Sequence, residues 1–321
     1  MKETVAIAHP NFALVKYWGK KDSNQNRPAM SSISVTVDSM TSKTKIFKNS
    51  QSNHHQLFIN GVEESDLSNI LPPLMYLSEF SKSEDYLVIQ SQNNFPTSSG
   101  LASSASGIAS LVTAYEAHYD LQLEVNQKIE ACILGSGSAP RSLIGGFVLM
   151  DYKNNYSCRQ ILEETEWPLD VLICIVSKEP KKISSREGML ISKKTSPIYQ
   201  NWLDVNDRHI NIALNAIKEK NFARLKNVTE KNCKLMHEVM KTSKPSISYL
   251  TEVTHSCLSE IENLRSLGHK LFYTIDAGPQ VKIICEPQSS ETIKNRIIDA
   301  TDVIEIIHAG IGGSPKVLNE N

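Results

Sequence analysis

Residues Pro96-Thr97-Ser98-Ser99-Gly100-Leu101-Ala102-Ser103-Ser104-Ala105-Ser106-Gly107 form a stretch with almost no side-chain bulk. Backbone N–H groups in such a stretch can approach a ligand closely. Apolar residues follow at Leu101, Ala105, Ile108, Val112, Tyr115 and Tyr119, in alternating steps of four and three. That spacing predicts a helix with one buried stripe. A small-residue loop feeding a helix start offers free N–H groups and the positive end of the helix dipole, which is chemistry for a phosphate. Ordinary serine capping accounts for the same composition, so the loop alone does not decide. It is neither a Walker A sequence nor a dinucleotide fingerprint. Ser103 and Ser104 have three uses open to them: capping the helix, binding phosphate, or helping to hold Mg²⁺.

Three more segments carry reactive side chains. Asn11-Phe12-Ala13-Leu14-Val15-Lys16-Tyr17-Trp18-Gly19-Lys20 sets two lysines four apart with aromatics between them. It reads either as ammonium groups in a phosphate pocket or as a strand end with solvated lysines. Gly135-Ser136-Gly137-Ser138-Ala139-Pro140-Arg141-Ser142-Leu143-Ile144-Gly145-Gly146 crowds small and hydroxyl residues around one arginine. A guanidinium suits bidentate binding of a carboxylate or phosphate. Thr274-Ile275-Asp276-Ala277-Gly278-Pro279 ends a β-type run in a carboxylate before a Gly-Pro turn. Asp276 is open to two readings, a turn residue or an acid–base group aimed into a cleft. His54 and His55 read as solvated, His9 and His308 as packed beside strands, and no spacing suggests a zinc site.

The elements that must position these groups are readable in outline. Strands are predicted at Val5–Ala8, Ile33–Asp38, Lys43–Phe47, Gln56–Ile59 and Tyr86–Gln90, with Asn60-Gly61 as a turn. A second helix near Leu123–Leu134 precedes strands at 145–150 and Val171–Val176. A polar loop, Lys178–Arg186, then leads to helices near Ile198–Lys218, Phe222–Thr242 and Ser246–Leu267. Strands Lys270–Ile275 and Val281–Glu286, a helix near Ser290–Ala300 and a strand Val303–His308 follow. Strands mixed with helices without regular alternation indicate an α+β fold. A boundary near residue 178 divides the chain into domains 1–178 and 179–321.

The composition narrows the function. The chain has 321 residues, 40% of them hydrophobic, and a formal net charge of −1. That gives no global basic field for nucleic acid. No apolar run approaches the roughly 20 residues of a membrane span. His9, Pro10 and Asn11 interrupt what would be the core of a signal peptide. The cysteines at 132, 158, 174, 233, 257 and 285 form no Cys-x-x-Cys pair. Reduced core thiols in a cytoplasmic protein are the expectation.

Taken together, these segments resemble the mevalonate diphosphate decarboxylases, a branch of the GHMP small-molecule kinase superfamily. The resemblance rests on Lys16-Tyr17-Trp18-Gly19-Lys20, then Asn94-Phe95-Pro96-Thr97 with Gly100-Leu101-Ala102-Ser103-Ser104-Ala105. It continues through Gly135–Ser138 with Arg141-Ser142-Leu143 and Gly145-Gly146-Phe147. Lys181-Lys182-Ile183-Ser184-Ser185-Arg186-Glu187-Gly188-Met189 and Asp276-Ala277-Gly278-Pro279 complete it. The matches run in order from about residue 6 to residue 285. Superfamily kinases usually carry Gly-Leu-Gly-Ser-Ser, and Ala102 in place of the second glycine resembles the decarboxylases. Departures are Phe12 where an aliphatic residue is usual, Pro140 before Arg141, Ser98-Ser99 for Ala-Ala, and Gln280 where Asn is common.

The resemblance implies a GHMP-kinase-like two-domain fold, with a ribosomal-protein-like N-terminal domain and a ferredoxin-like C-terminal α/β sandwich. The active site would lie in the cleft between them. It implies that ATP and Mg²⁺ are used to phosphorylate the tertiary 3-hydroxyl of mevalonate 5-diphosphate, after which phosphate and CO₂ leave to give isopentenyl diphosphate. Asp276, Arg141 and Lys16 are then the expected catalytic residues. Tyr17, Lys20, Ser136, Ser138, Ser185 and Arg186, with Arg141, are expected to hold the substrate. Asn94, Pro96, Ser98, Ser99, Gly100, Leu101, Ala102, Ser103 and Ser104 are expected to hold ATP, and Ser104 the metal. Trp18 is open between a wall and a ligand. The looser Gly310–Gly313 run carries no assigned role. A homodimer is expected by resemblance. Two alternatives stand beside this reading: a superfamily enzyme that only phosphorylates or uses a monophosphate, and a non-catalytic binding protein that kept the fold.

Overall fold

A computed structural model describes residues 2–21, 26–96, 100–179 and 181–318. In the first half, strands β1 (Glu3–Ala8), β2 (Asn11–Val15), β3 (Ser32–Thr36), β4 (Ser42–Lys48), β5 (Gln56–Ile59) and β6 (Val62–Glu64) precede helix α1 (Leu71–Ser81). Strand β7 (Leu87–Asn93), helices α2 (Ser103–His118) and α3 (Val125–Gly135), a 3₁₀ turn at Ala139–Ser142 and strands β8 (Phe147–Asp151) and β9 (Ser157–Leu162) follow. Then come β10 (Asp170–Ile175) and helices α4 (Ser185–Thr195), α5 (Tyr199–Asp204), α6 (Asn206–Lys218), α7 (Phe222–Lys241) and α8 (Glu252–Ser266). Strands β11 (Leu271–Ile275) and β12 (Val281–Cys285), helix α9 (Pro287–Ala300) and strands β13 (Glu305–Ala309) and β14 (Lys316–Leu318) close the order.

These strands make a six-stranded sheet, β14-β1-β4-β7-β5-β6, and two four-stranded sheets, β2-β3-β8-β9 and β11-β12-β10-β13. Pairing is antiparallel except between β5 and β7. The result is a mixed two-domain fold of helices on largely antiparallel sheets. Helix α2 lies on the first sheet, and Leu111 and Val112 of its buried stripe join Ala6 and Ile46 in one core. Two buried hydroxyl pairs fix its register: Ser42–Ser106 at 2.7 Å and Thr44–Ser110 at 2.6 Å.

A second core runs between the halves. Phe12, Leu14, Ile33 and Phe147 pack in one cluster with Val171, Ile173, Ala213, Ile217 and Phe272. Strand β2 is therefore buried on both sides, and its end is fixed relative to β11. The Thr274 hydroxyl donates to the Ala13 carbonyl at 2.8 Å and strengthens that tie.

The structure departs from the sequence expectations in several places, each with a physical reason. The strand expected at Val171–Val176 falls before residue 178, yet β10 is hydrogen-bonded between β12 and β13. It belongs to the sheet of the second half. The polar stretch read as a loop becomes helix α4 at Ser185, because the Ser184 side chain accepts from the Glu187 N–H as a cap. The single stretch Ile198–Lys218 is two helices that meet at Val205. Helix α1 escapes the sequence reading because Leu71-Pro72-Pro73 looks like a breaker, whereas proline in the first turn needs no N–H. His55 is not simply solvated: its ring accepts from the Leu87 N–H at 3.0 Å.

The Gly310–Gly313 run has a structural task. The Gly146 N–H donates to the Gly312 carbonyl and the Gly312 N–H to the Thr36 carbonyl, so the chain crosses here on its way to β14. A Cβ on Gly145 would overlap the Gly313 backbone. Gly145→Ala is expected to destabilise the protein by about 3 kcal/mol through this overpacking. Urea unfolding checks it, and an unchanged midpoint would show that the crossing yields.

Candidate active site

Asp276 follows directly on β11 and lies against the end of β2. There the Lys16 ammonium approaches Asp276 Oδ1 at 2.5 Å. On the other side, Lys282 from β12 stands 3.3 Å from Asp276 Oδ2. The Lys16 and Lys282 side chains are almost wholly buried, while that of Asp276 is 24% exposed. Burial alone would raise the Asp276 pKa, but the two ammonium charges outweigh it and hold the carboxyl well below the ordinary carboxylate range. The backbone of Lys16 is anchored too, its N–H donating to Asn232 Oδ1 at 2.7 Å.

Arg141 sits in the 3₁₀ turn, where Pro140 occupies the first turn and so suits this position. Its guanidinium is buried, with Nε donating to Asn11 Oδ1 and Ser34 Oγ and Nη1 to Ser32 Oγ. Among the described residues no carboxylate pairs with it. A buried charge normally has a counter-ion, so this site is one anion short. Tyr17 lies beside it, the guanidinium carbon 5.9 Å from the ring centroid.

The phosphate-type loop meets this wall. Helix α2 is preceded by its N-cap Ala102, which adopts a left-handed φ of 58° and supplies no side-chain cap. The first-turn N–H groups of Ser103 and Ser104 thus have no side-chain cap, as an anion site requires. Ser104 Oγ lies 3.4 Å from Ser136 Oγ, which is 3.1 Å from Ser138 Oγ. This row of hydroxyls joins the loop to the arginine segment. Gly100 (φ +86°) presses against Gly278, and a Cβ on Gly137 would strike Asn26 and Tyr17.

One cavity of about 600 Å³ gathers these parts. Of the expected residues, Lys16, Tyr17, Lys20, Ser136, Ser138, Arg141, Ser185, Arg186 and Asp276 line it, as do Gly100, Leu101, Ala102, Ser103 and Ser104. Asn94 and Pro96 are not among its lining residues. The Asn94 side chain instead closes a turn, accepting from the Thr41 N–H and donating to the Ser39 carbonyl. Ser98 and Ser99 lie outside the described residues. Trp18 lines the cavity, and its indole N–H donates to Ser192 Oγ. Sequence reasoning missed Asn11, which orients Arg141, and Lys181, which lines the cavity. It also missed Lys282, which is hidden in the apolar run Val281-Lys282-Ile283-Ile284-Cys285. A lysine inside a strand buried at every position is the one signal that marks it.

Fold and cavity together define a two-domain enzyme of phosphoryl-transfer type, with a small-residue phosphate loop facing a cationic pocket. The chain matches the diphosphomevalonate decarboxylase-like N-terminal domain over residues 8–159. It matches the mevalonate 5-diphosphate decarboxylase C-terminal domain over residues 171–318. The diphosphomevalonate decarboxylase of Candida albicans is 32% identical over 315 residues, covering 91% of this chain and 87% of that protein. The crystal structure of mevalonate diphosphate decarboxylase from Staphylococcus aureus superposes with a TM-score of 0.91 at 34% identity, covering 99% and 98% of the two chains. A structure of MDDEF in complex with MVAPP, AMPPCP and magnesium gives 0.90 at 29% identity, covering 99% of each. The chain belongs to the diphosphomevalonate decarboxylase family.

Behind Asp276, His237 of α7 lies 3.3 Å from the Ile275 carbonyl. Burial, aided by the nearby Lys16 charge, lowers its pKa from 6.5 to about 4. Between these values the unfolded chain takes up a proton that the folded chain refuses. Stability present above pH 6.5 is therefore lost as the pH falls towards 4, by about 3 kcal/mol. His237→Gln should remove most of this loss, as judged by urea unfolding at pH 7 and pH 4.5. An equal loss in both proteins would show that His237 is not its source.

Proposed function

We propose that this chain catalyses the ATP-dependent decarboxylation of mevalonate 5-diphosphate to isopentenyl diphosphate, with ADP, phosphate and CO₂ as the other products. The observation that carries the proposal is Arg141. It is a buried guanidinium without a carboxylate partner among the described residues, in the same cavity as the phosphate loop and the Lys16–Asp276 pair. A substrate carboxylate supplies the missing counter-ion.

Each residue then has a task. Asp276 receives the hydrogen bond of the 3-hydroxyl and orients its oxygen for attack on the γ-phosphorus. Flanked by two ammonium groups it is a weak base at first. Incoming phosphates draw on the Lys16 ammonium, which lines the cavity, and make the carboxylate a better proton acceptor as the complex forms. Lys16 steadies the charge that gathers on the transferred phosphoryl group. When the C3–O bond breaks and phosphate departs, the C–C bond to the carboxylate supplies the electron pair for the new double bond, and CO₂ leaves. Arg141 holds that carboxylate until then. Tyr17, Lys20, Ser136, Ser138, Ser185 and Arg186 hold the diphosphate.

The donor set fits ATP and Mg²⁺. Gly100, Leu101, Ala102 and Ser103 give the phosphates an open helix start. Among the described residues no group of three His, Cys, Asp or Glu is placed to hold a metal ion. Such a site suits a magnesium ion carried on nucleotide phosphates, with Ser104 as a protein oxygen ligand. The ion neutralises charge on the phosphates. Six buried free cysteines support a reducing, cytoplasmic setting, and no described helix is long and apolar enough to cross a membrane. Family resemblance supports assembly as a homodimer, which sedimentation would check.

Incubation with ATP, Mg²⁺ and mevalonate 5-diphosphate is expected to release ADP and CO₂ in equal amounts. ADP without CO₂ would sink the decarboxylase reading. Asp276→Ala should abolish turnover while ATP binding persists. Arg141→Gln should lower kcat/KM by about 100-fold or more through loss of the carboxylate clamp. Near-normal turnover in either variant would refute the role given to that residue.

A further inference from the structure

Lys282 is not itself among the residues that line the cavity, yet its ammonium contacts two that are, Asp276 and Gly100. Its side chain is wholly buried. Its ammonium stands 3.3 Å from Asp276 Oδ2, donates to the Gly100 carbonyl at 2.9 Å and lies 5.0 Å from the centroid of the Phe12 ring. Gly100 lies within the phosphate loop, and a Cβ there would meet the Gly278 Cα at 2.8 Å. The loop and the Asp276 segment are thus in backbone contact, with one ammonium group bridging them. Phe12, the residue that replaces the usual aliphatic one, provides an aromatic face for that charge.

We infer that Lys282 is a positioning residue, whose ammonium holds the Asp276 carboxylate in register with the phosphate loop. The inference rests on Asp276 standing at the reacting hydroxyl. Lys282 is too deeply buried to act on a ligand directly. Its effect passes through Asp276 Oδ2 on one side and the Gly100 carbonyl on the other. A shift of about 1 Å between these groups is enough to lower turnover by about 100-fold.

The charge of Lys282 also sets the acid behaviour of Asp276. The other groups that face this carboxylate are Lys16 after β2, Lys181 before α4, Arg141 in the 3₁₀ turn, and Cys233 and His237 on α7. Loss of one of the two adjacent ammonium charges raises a carboxylate pKa by about one to two pH units.

The test compares Lys282→Gln, Lys282→Met and Lys282→Arg with the wild-type enzyme, measuring kcat and both KM values against pH. Glutamine removes the charge and can keep the bond to Gly100. It should lower kcat by about 100-fold and move the acid limb of kcat up by about one to two pH units, with both KM values little changed. Methionine removes both contacts and should also raise the KM for ATP. Arginine keeps the charge and should return the acid limb to its wild-type position. A folded glutamine or methionine variant with wild-type kcat and an unmoved limb overturns the assignment. If neither folds, the arginine variant decides, and an upward-shifted limb in it overturns the assignment. Failure of the functional proposal would show instead in the wild-type enzyme, as no CO₂ from mevalonate 5-diphosphate.

Discussion

Asp276 is held between two buried ammonium groups, Lys16 and Lys282, where β2, β11 and β12 converge. Removing such ions from water carries a penalty of several kcal/mol each, and mutual attraction offsets it only where the geometry is kept. Much of the surrounding structure keeps that geometry. Asn232 holds the Lys16 backbone, Thr274 ties β11 to β2, and a continuous apolar cluster fills the space behind. Positive charge nevertheless remains in excess, because Arg141 adds a third buried cation to this wall. A chain with a formal net charge of −1 therefore carries a local, dry, positive site. That imbalance leaves the cavity wall electrostatically complementary to an anion.

The same imbalance explains why the groups sit on strands and short turns. A carboxylate and two ammonium groups tied to neighbouring strands cannot drift apart without breaking ladder hydrogen bonds. Gln280 adds to this rigidity. Its Oε1 accepts from the Val176 N–H and its Nε2 donates to the Ser177 carbonyl, so the turn after Asp276 is stitched to the end of β10. The extra methylene relative to the more usual asparagine is accommodated within a fully buried contact. Sites held by regular elements keep their geometry better than sites held by loops.

What was legible in the sequence follows from how local each signal is. The stripe depends on spacing within one helix: Ala105, Ile108, Val112 and Tyr115 of α2 and Leu101 just before it are buried, while Tyr119 at its C-cap is half-buried. The Asn60-Gly61 turn depends on two residues, and both adopt positive φ. The chemistry-bearing segments were legible through their unusual residue types, and most of their side chains meet in one cavity. Partners set by tertiary pairing were not legible. β10 reads as part of the first half because nothing local says that its neighbours are β12 and β13. Lys282 reads as one charge in an apolar strand, and only the fold brings it to Asp276. Asn94 has the type and place of a ligand, and only the fold shows that its side chain also bonds to Thr41 and Ser39 in a turn.

Ala102 shows how a local residue choice serves the wider site. At φ 58° it occupies a conformation that glycine adopts without strain; for an alanine it costs about 1 kcal/mol. That strain is maintained by the surroundings, since Ala102 packs against the apolar cluster shared by both halves. A glycine would relieve it but would also let the unfolded and unliganded loop sample many more conformations. Alanine therefore gives the loop fewer shapes at the point where the helix start, the serine row and the Asp276 segment meet. A loop restricted in this way would lose less entropy on binding a ligand, at the cost of the strain at Ala102.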